Sequence, residues 1–100
     1  MPDRFHKNAP GAFYVEAECC LTCGIPQQIA PEIFAWHNEG DSGHCYVQRQ
    51  PQTSEEFDKV IEVMQHADLD CIYYGGSDRA ELDRLSLADL AAQCDALQKP

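Results

Sequence analysis

Three cysteines fall within the short run Cys19-Cys20-Leu21-Thr22-Cys23, and Gly24, Ile25 and Pro26 follow at once. No other stretch constrains the fold as strongly, because a tight loop can aim closely spaced sulfurs and its own backbone N–H groups at a single point. Gly24 adds to the constraint. A residue without Cβ lets the backbone enter the left-handed region or approach a bound group closely.

The remaining bounds are simpler. One hundred residues is the size of one compact domain, so residues 1–100 are expected to form a single unit. The N-terminus, Met1-Pro2-Asp3-Arg4-Phe5-His6-Lys7, is polar and lacks the apolar core of a signal peptide, which places the chain in the cytoplasm as an expectation. In that reducing compartment 6 cysteines argue against a disulfide framework and for metal or redox use. Free Cys is also a good small core residue. The net charge of −10, from 17 acidic against 7 basic residues, repels nucleic acid and anionic membranes and favours a basic protein surface as partner. Acidity of this size also serves solubility alone. No uncharged stretch is long enough to span a bilayer.

Along the chain, Asn8-Ala9-Pro10-Gly11 marks a loose start over residues 1–11. Residues 13–18 then alternate Phe13, Val15 and Ala17 against Tyr14, Glu16 and Glu18, as in a half-buried strand. Gln27 to Phe34 reads as a short helical turn broken by Pro31, and turn residues from Asn38 to Gly43 predict a hairpin that returns through Cys45 to Arg49. Alternation groups Cys45 with Val47 and Arg49, without telling which face is inward. Thr53-Ser54-Glu55-Glu56 has the form of a capping box and predicts a helix to about Gln65, with Phe57, Val60, Ile61 and Met64 as its apolar face. Asp70 to Tyr74 reads as a strand stopped by Gly75-Gly76. Residues 77–100 form a helical extension, with Asp78 capping one helix through Leu82 and Leu85, and Ser86 opening another whose stripe is Leu87, Leu90, Ala91, Cys94 and Leu97. Cys94 is expected to pack rather than to ligate.

The loop resembles that of single-cluster bacterial ferredoxins of the three- or four-iron type. Those carry Cys-x2-Cys-Gly-x-Cys, a short helix, Ala-Pro-Glu-x-Phe and a last Cys near the far end. Here Cys20, Cys23, Gly24, Ala30-Pro31-Glu32-Ile33-Phe34 and Cys71 stand at the matching places, and Pro26 stands where the family has its third loop Cys. The step after Cys71 also departs from the family, which has Pro there where this chain has Ile72. The resemblance covers roughly residues 12 to 75. It implies an α+β, ferredoxin-like fold, a small antiparallel sheet with helices packed on it and the C-terminal helical segment as an addition. It further implies an electron carrier, not an enzyme with substrate chemistry of its own. The iron–sulfur cluster would be held by Cys20, Cys23 and Cys71, with Cys19 as a possible fourth ligand, and the acidic surface would dock a redox enzyme.

Two other readings stay open. Cys20 and Cys23 can form a zinc half-site completed by Cys71 and by Cys45 or His44. Alternatively the loop is retained as scaffold in a cluster-free binding protein, such as an immunity protein or an inhibitor of a basic partner. Asp58, Glu62 and Glu55, with Asp78, Glu81 and Asp83, are the acidic residues that could steer such a partner. Trp36, Phe34, Tyr73 and Tyr74 could form a docking surface, though aromatics in so small a domain usually make the core. The four histidines His6, His37, His44 and His66 are scattered, and neither a catalytic triad nor a phosphate-cradling glycine loop is present.

Overall fold

The computed structural model describes residues 3–17, 19, 24–39, 42–66 and 71–97. Its elements run β1 (Phe13–Val15), α1 (Ile25–Ile29), β2 (Phe34–Glu39), β3 (Ser42–Val47), α2 (Ser54–His66), β4 (Ile72–Tyr74) and α3 (Arg79–Leu87), followed by two short 3₁₀ turns at Ala91–Gln93 and Asp95–Leu97. The α+β class is as the sequence predicts. The strands form two antiparallel pairs, β1 with β4 and β2 with β3.

In the first pair Phe13 faces Tyr74, Tyr14 faces Tyr73 and Val15 faces Ile72. In the second, Phe34 faces Val47, Trp36 faces Cys45 and His37 faces His44. What joins the pairs is side-chain amide chemistry. The Asn8 Oδ1 accepts from Val15 N at 3.2 Å and from Val47 N at 2.9 Å, while its Nδ2 donates to Val15 O at 2.9 Å. Gln50 does the same one step further along, accepting from Phe13 N at 3.0 Å and donating to Phe13 O at 2.9 Å. These amides satisfy strand groups that would otherwise be orphaned. The stretch that reads as a loose start is therefore tied to both strands, and Phe5 within it is buried.

The β1 alternation reads as half-buried, but all three residues of the strand are buried. Tyr14 is covered by the Arg4 guanidinium, 4.2 Å from its ring centre, and by Tyr73 stacked at 5.7 Å. Its hydroxyl donates to Asp95 at 2.5 Å, which satisfies the one polar atom.

The capping box is present, with Thr53 Oγ1 accepting from Glu56 N at 3.1 Å. The Glu56 carboxylate accepts from Gln52 N at 2.8 Å and from both terminal nitrogens of Arg49. The buried face of α2 is Phe57, Val60, Val63 and Met64, with Ile61 only partly covered. Asp78 caps α3 by accepting from Glu81 N at 3.0 Å.

The tail differs from the sequence reading. Ser86 and Leu87 are the last turn of α3, and Leu87 is 89% exposed. Asp89 takes a positive φ of 66° and stops the helix, so the residues after it make 3₁₀ turns in place of a second helix. Cys94 is fully buried as expected, through a bridge to Tyr74 and not as part of a helical stripe.

Candidate metal centre at the cysteine end of the sheets

The described cysteines 19, 45 and 71 arrive from three different elements. Cys71 is buried just before β4, and its carbonyl accepts from Glu16 N at 2.8 Å. Cys19 lies in the turn after β1, and the two are joined by a disulfide with Cα atoms 5.6 Å apart, at a sequence separation of 52. Cys45 is 3% exposed and also disulfide-bonded. Cys20 and Cys23 lie outside the described residues. The expectation of free thiols is thus corrected at Cys19, Cys45 and Cys71. Strands that bring sulfurs within bonding reach allow them to pair, and the pairing is the oxidised form of that convergence.

Gly24 enters α1 with a φ of 73°, the left-handed conformation its lack of Cβ permits. Pro26 follows within the first turn of α1, buried, at a position where a missing N–H leaves no helical bond unmade. Gln27 anchors α1 to the second sheet by donating to Ala35 O at 3.3 Å. Trp36 shares a sheet face with Cys45, and its indole lies where a Cβ on Gly43 would stand. The Trp36 indole therefore covers Gly43, the next residue along the face of β3 that carries Cys45.

This donor set fits an iron–sulfur core. Once reduced, Cys19, Cys45 and Cys71 would offer soft sulfur donors from a turn, a strand and a strand start around one hydrophobic core, the donor type a multi-iron core takes. Among the described residues no group of three His, Cys, Asp or Glu side chains is gathered as a metal site, and Cys20 and Cys23, which both the cluster and the zinc readings use, lie outside them.

The sixth cysteine behaves differently. Burial, with the Asp95 charge beside it, pushes the Cys94 thiol above its ordinary range, so it stays protonated and inert.

Sequence reasoning missed one cluster. His6, His37 and His44, scattered in sequence, gather around Phe5, whose ring stacks on His44 at 3.9 Å and lies 6.4 Å from His37. His44 Nδ1 is 2.7 Å from its neighbour's carbonyl, Cys45 O, which fixes the imidazole on the outer face of β3 while Cys45 points inward. The His37–His44 pairing was readable from the hairpin register; the return of residue 5 was not.

The acidic residues are partly spent on internal partners. Asp58 pairs with Arg84, Asp83 with Arg79, and Glu81 accepts from Tyr74 at 2.5 Å. Glu55 and Glu62 stand exposed on α2. No described helix is long and apolar enough to cross a membrane.

Residues 15–73 match the family described as the 4Fe-4S single cluster domain of Ferredoxin I. Comparison with curated proteins gave no match, and neither did comparison with solved structures.

Proposed function

We propose, from the premise that this chain belongs to the family of single-cluster 4Fe-4S ferredoxin domains, that it carries single electrons, binding an iron–sulfur cluster through Cys20, Cys23 and Cys71 with Cys19 beside them. The observation that carries this reading is the meeting of Cys19 and Cys71, 52 positions apart, at the end of the β1–β4 sheet. A cluster bound there supplies one-electron redox chemistry at a potential set by hydrogen bonding and solvent access. The chain's own residues set both. The core around Cys71 and Cys45 keeps water away from the sulfurs, the Trp36 ring shields the hairpin side, and Gly24 lets the loop turn sharply into α1.

Thiols ligate only as thiolates, so the reduced chain is the competent form and the disulfide form is its oxidised counterpart. The exposed Glu55 and Glu62, within a net charge of −10, suit a basic redox enzyme as partner. Pro26 stands at the place where the resemblance puts the third loop Cys.

The test is the visible spectrum of protein purified without oxygen, with iron, sulfide and zinc measured on the same sample. Broad absorption at about 400 nm with iron and sulfide together is the expected result for thiolate-bound clusters. A colourless, metal-free, folded protein after anaerobic reconstitution overturns the reading.

A further inference from the structure

We propose that Cys45 supplies the ligand that the loop lacks at Pro26, so that a thiolate from the β2–β3 hairpin joins Cys71 in holding the cluster. The inference rests on the cluster reading above and puts Cys45, in place of Cys19, as the fourth ligand with Cys20, Cys23 and Cys71.

The register between the two sheets places Cys45 at the right end of the molecule. Gln50 is level with Phe13, and Val47 is level with Val15 through Asn8. The two strands therefore run antiparallel, and stepping two residues back from Val47 to Cys45 corresponds to stepping forward from Val15 to Ala17. That is the turn holding Cys19, and it is the level at which Glu16 N meets Cys71 O. Side chains two apart on a strand share a face. Val47 and Cys45 are both buried, so the Cys45 sulfur points into the same core as Cys71.

The state of the sulfur is the second observation. Cys94, also buried, is not in a disulfide, whereas Cys45 is disulfide-bonded as Cys19 and Cys71 are. Burial alone does not make a cysteine pair; position among other cysteines does. Cys45 belongs to the converging set and Cys94 does not.

Ligation requires the reduced chain. A small dithiol reductant opens each disulfide by giving up two electrons and two protons, becoming a cyclic disulfide, and leaves two protein thiols. Each thiol loses its proton to solvent on binding iron.

The experiment compares full-length wild type, Cys45→Ser, Cys45→Asp and Cys94→Ser, reduced with dithiothreitol and reconstituted anaerobically with ferrous iron and sulfide. Iron and sulfide per chain, iron retained against a chelator and the electron paramagnetic resonance spectrum are measured. Cys45→Ser is expected to lose about tenfold or more in iron retention, at least the effect of losing an outer-shell partner. Cys45→Asp keeps an oxygen donor and is expected to retain iron with an altered resonance spectrum. Cys94→Ser is expected to match wild type. If wild type itself takes up no iron and sulfide, the cluster reading has failed and this inference with it. If wild type loads while both Cys45 variants load equally with unchanged spectra, Cys45 is no ligand and the cluster reading stands. Should the Cys45 variants not fold, by far-ultraviolet circular dichroism, wild-type holoprotein carrying cysteine with carbon-13 at the β position decides the matter. One paramagnetically shifted cysteine must then show a cross-relaxation contact to the Trp36 indole, the strand partner of Cys45. A full set of shifted cysteines with none touching Trp36 overturns the proposal.

Discussion

Gln50 occupies both hydrogen-bonding positions of Phe13, accepting from its N–H at 3.0 Å and donating to its carbonyl at 2.9 Å, as a residue of a neighbouring strand would. The side chain reaches this position past Gly11. A Cβ there would stand 2.5 Å from Gln50 Cγ, and the Gly11 φ of 142° already disfavours other residues. Removing the amide leaves two strand groups of a buried residue unsatisfied, at about 1–3 kcal/mol each in the limit of no water access. Gln50→Ala is therefore expected to destabilise by about 2 kcal/mol or more, and Gly11→Ala to destabilise by displacing the same amide. Urea unfolding monitored by far-ultraviolet circular dichroism checks both, and a double variant no worse than Gln50→Ala alone would place the two effects on one amide.

Much of this architecture is legible before any coordinates. The capping box at Thr53 and Glu56, the α2 face of Phe57, Val60 and Met64, the Asp78 cap and the burial of Cys94 all rest on local chemistry that a single stretch of sequence contains. What escapes is side-chain bridging over distance. Asn8 reads as part of a loose start and Gln50 as the last residue of a strand, because nothing local tells an amide which strand it will serve. Tyr14 looks outward-facing for the same reason, since its cover comes from Arg4, Tyr73 and Asp95. At the candidate site the loop and the distal Cys71 are visible through their pattern, but the inward face of Cys45 depends on a register that alternation alone leaves open.

Acid sensitivity should trace to Glu56. The side-chain hydrogen bonds from Arg49, helped by Gln52 N, lower its carboxyl from an ordinary 4.5 to about 2. Because the folded value lies below the unfolded one, the stabilisation is present above about 4.5 and is lost as pH falls toward about 2. The group is solvent-accessible, so the effect is modest. Glu56→Gln is expected to be less stable at neutral pH and to lose less of its melting temperature between those two pH values. Parallel slopes for variant and wild type would show that Glu56 does not drive the acid response.

Tyr14 and Tyr74 should resist ionisation. Burial is the main cause, and the Asp95 and Glu81 carboxylates that accept their hydroxyl protons raise both phenols further above the ordinary 10.0. A folded value above the unfolded one means that the stabilisation is fully present below the unfolded pKa and is lost as pH rises toward the folded one. Of 4 tyrosines, two are then expected to titrate only when the chain unfolds, seen as a late, steep second phase of tyrosinate absorbance. Tyr74→Phe should remove part of that phase. A single smooth titration of all tyrosines near the ordinary value would contradict the burial of both rings.

The end of α3 separates two readings of the tail. A continuous apolar stripe through Leu87 would make that residue part of the core, whereas the folded chain buries Leu85 completely and leaves Leu87 89% exposed. The positive φ of Asp89 is what turns the chain away after Leu87, returning Leu90 and Cys94 to the core by a different path. Leu85→Ala is therefore expected to cost about 2–5 kcal/mol through the cavity it opens. Leu87→Ser should change stability by no more than about 0.5 kcal/mol, as at an ordinary surface site. Asp89→Gly relieves the left-handed strain without removing a contact and should leave the fold as stable or more so. Equal costs at positions 85 and 87 in denaturant unfolding would mean that the helix continues past Asp89 after all and that the two 3₁₀ turns are not the solution structure of this tail.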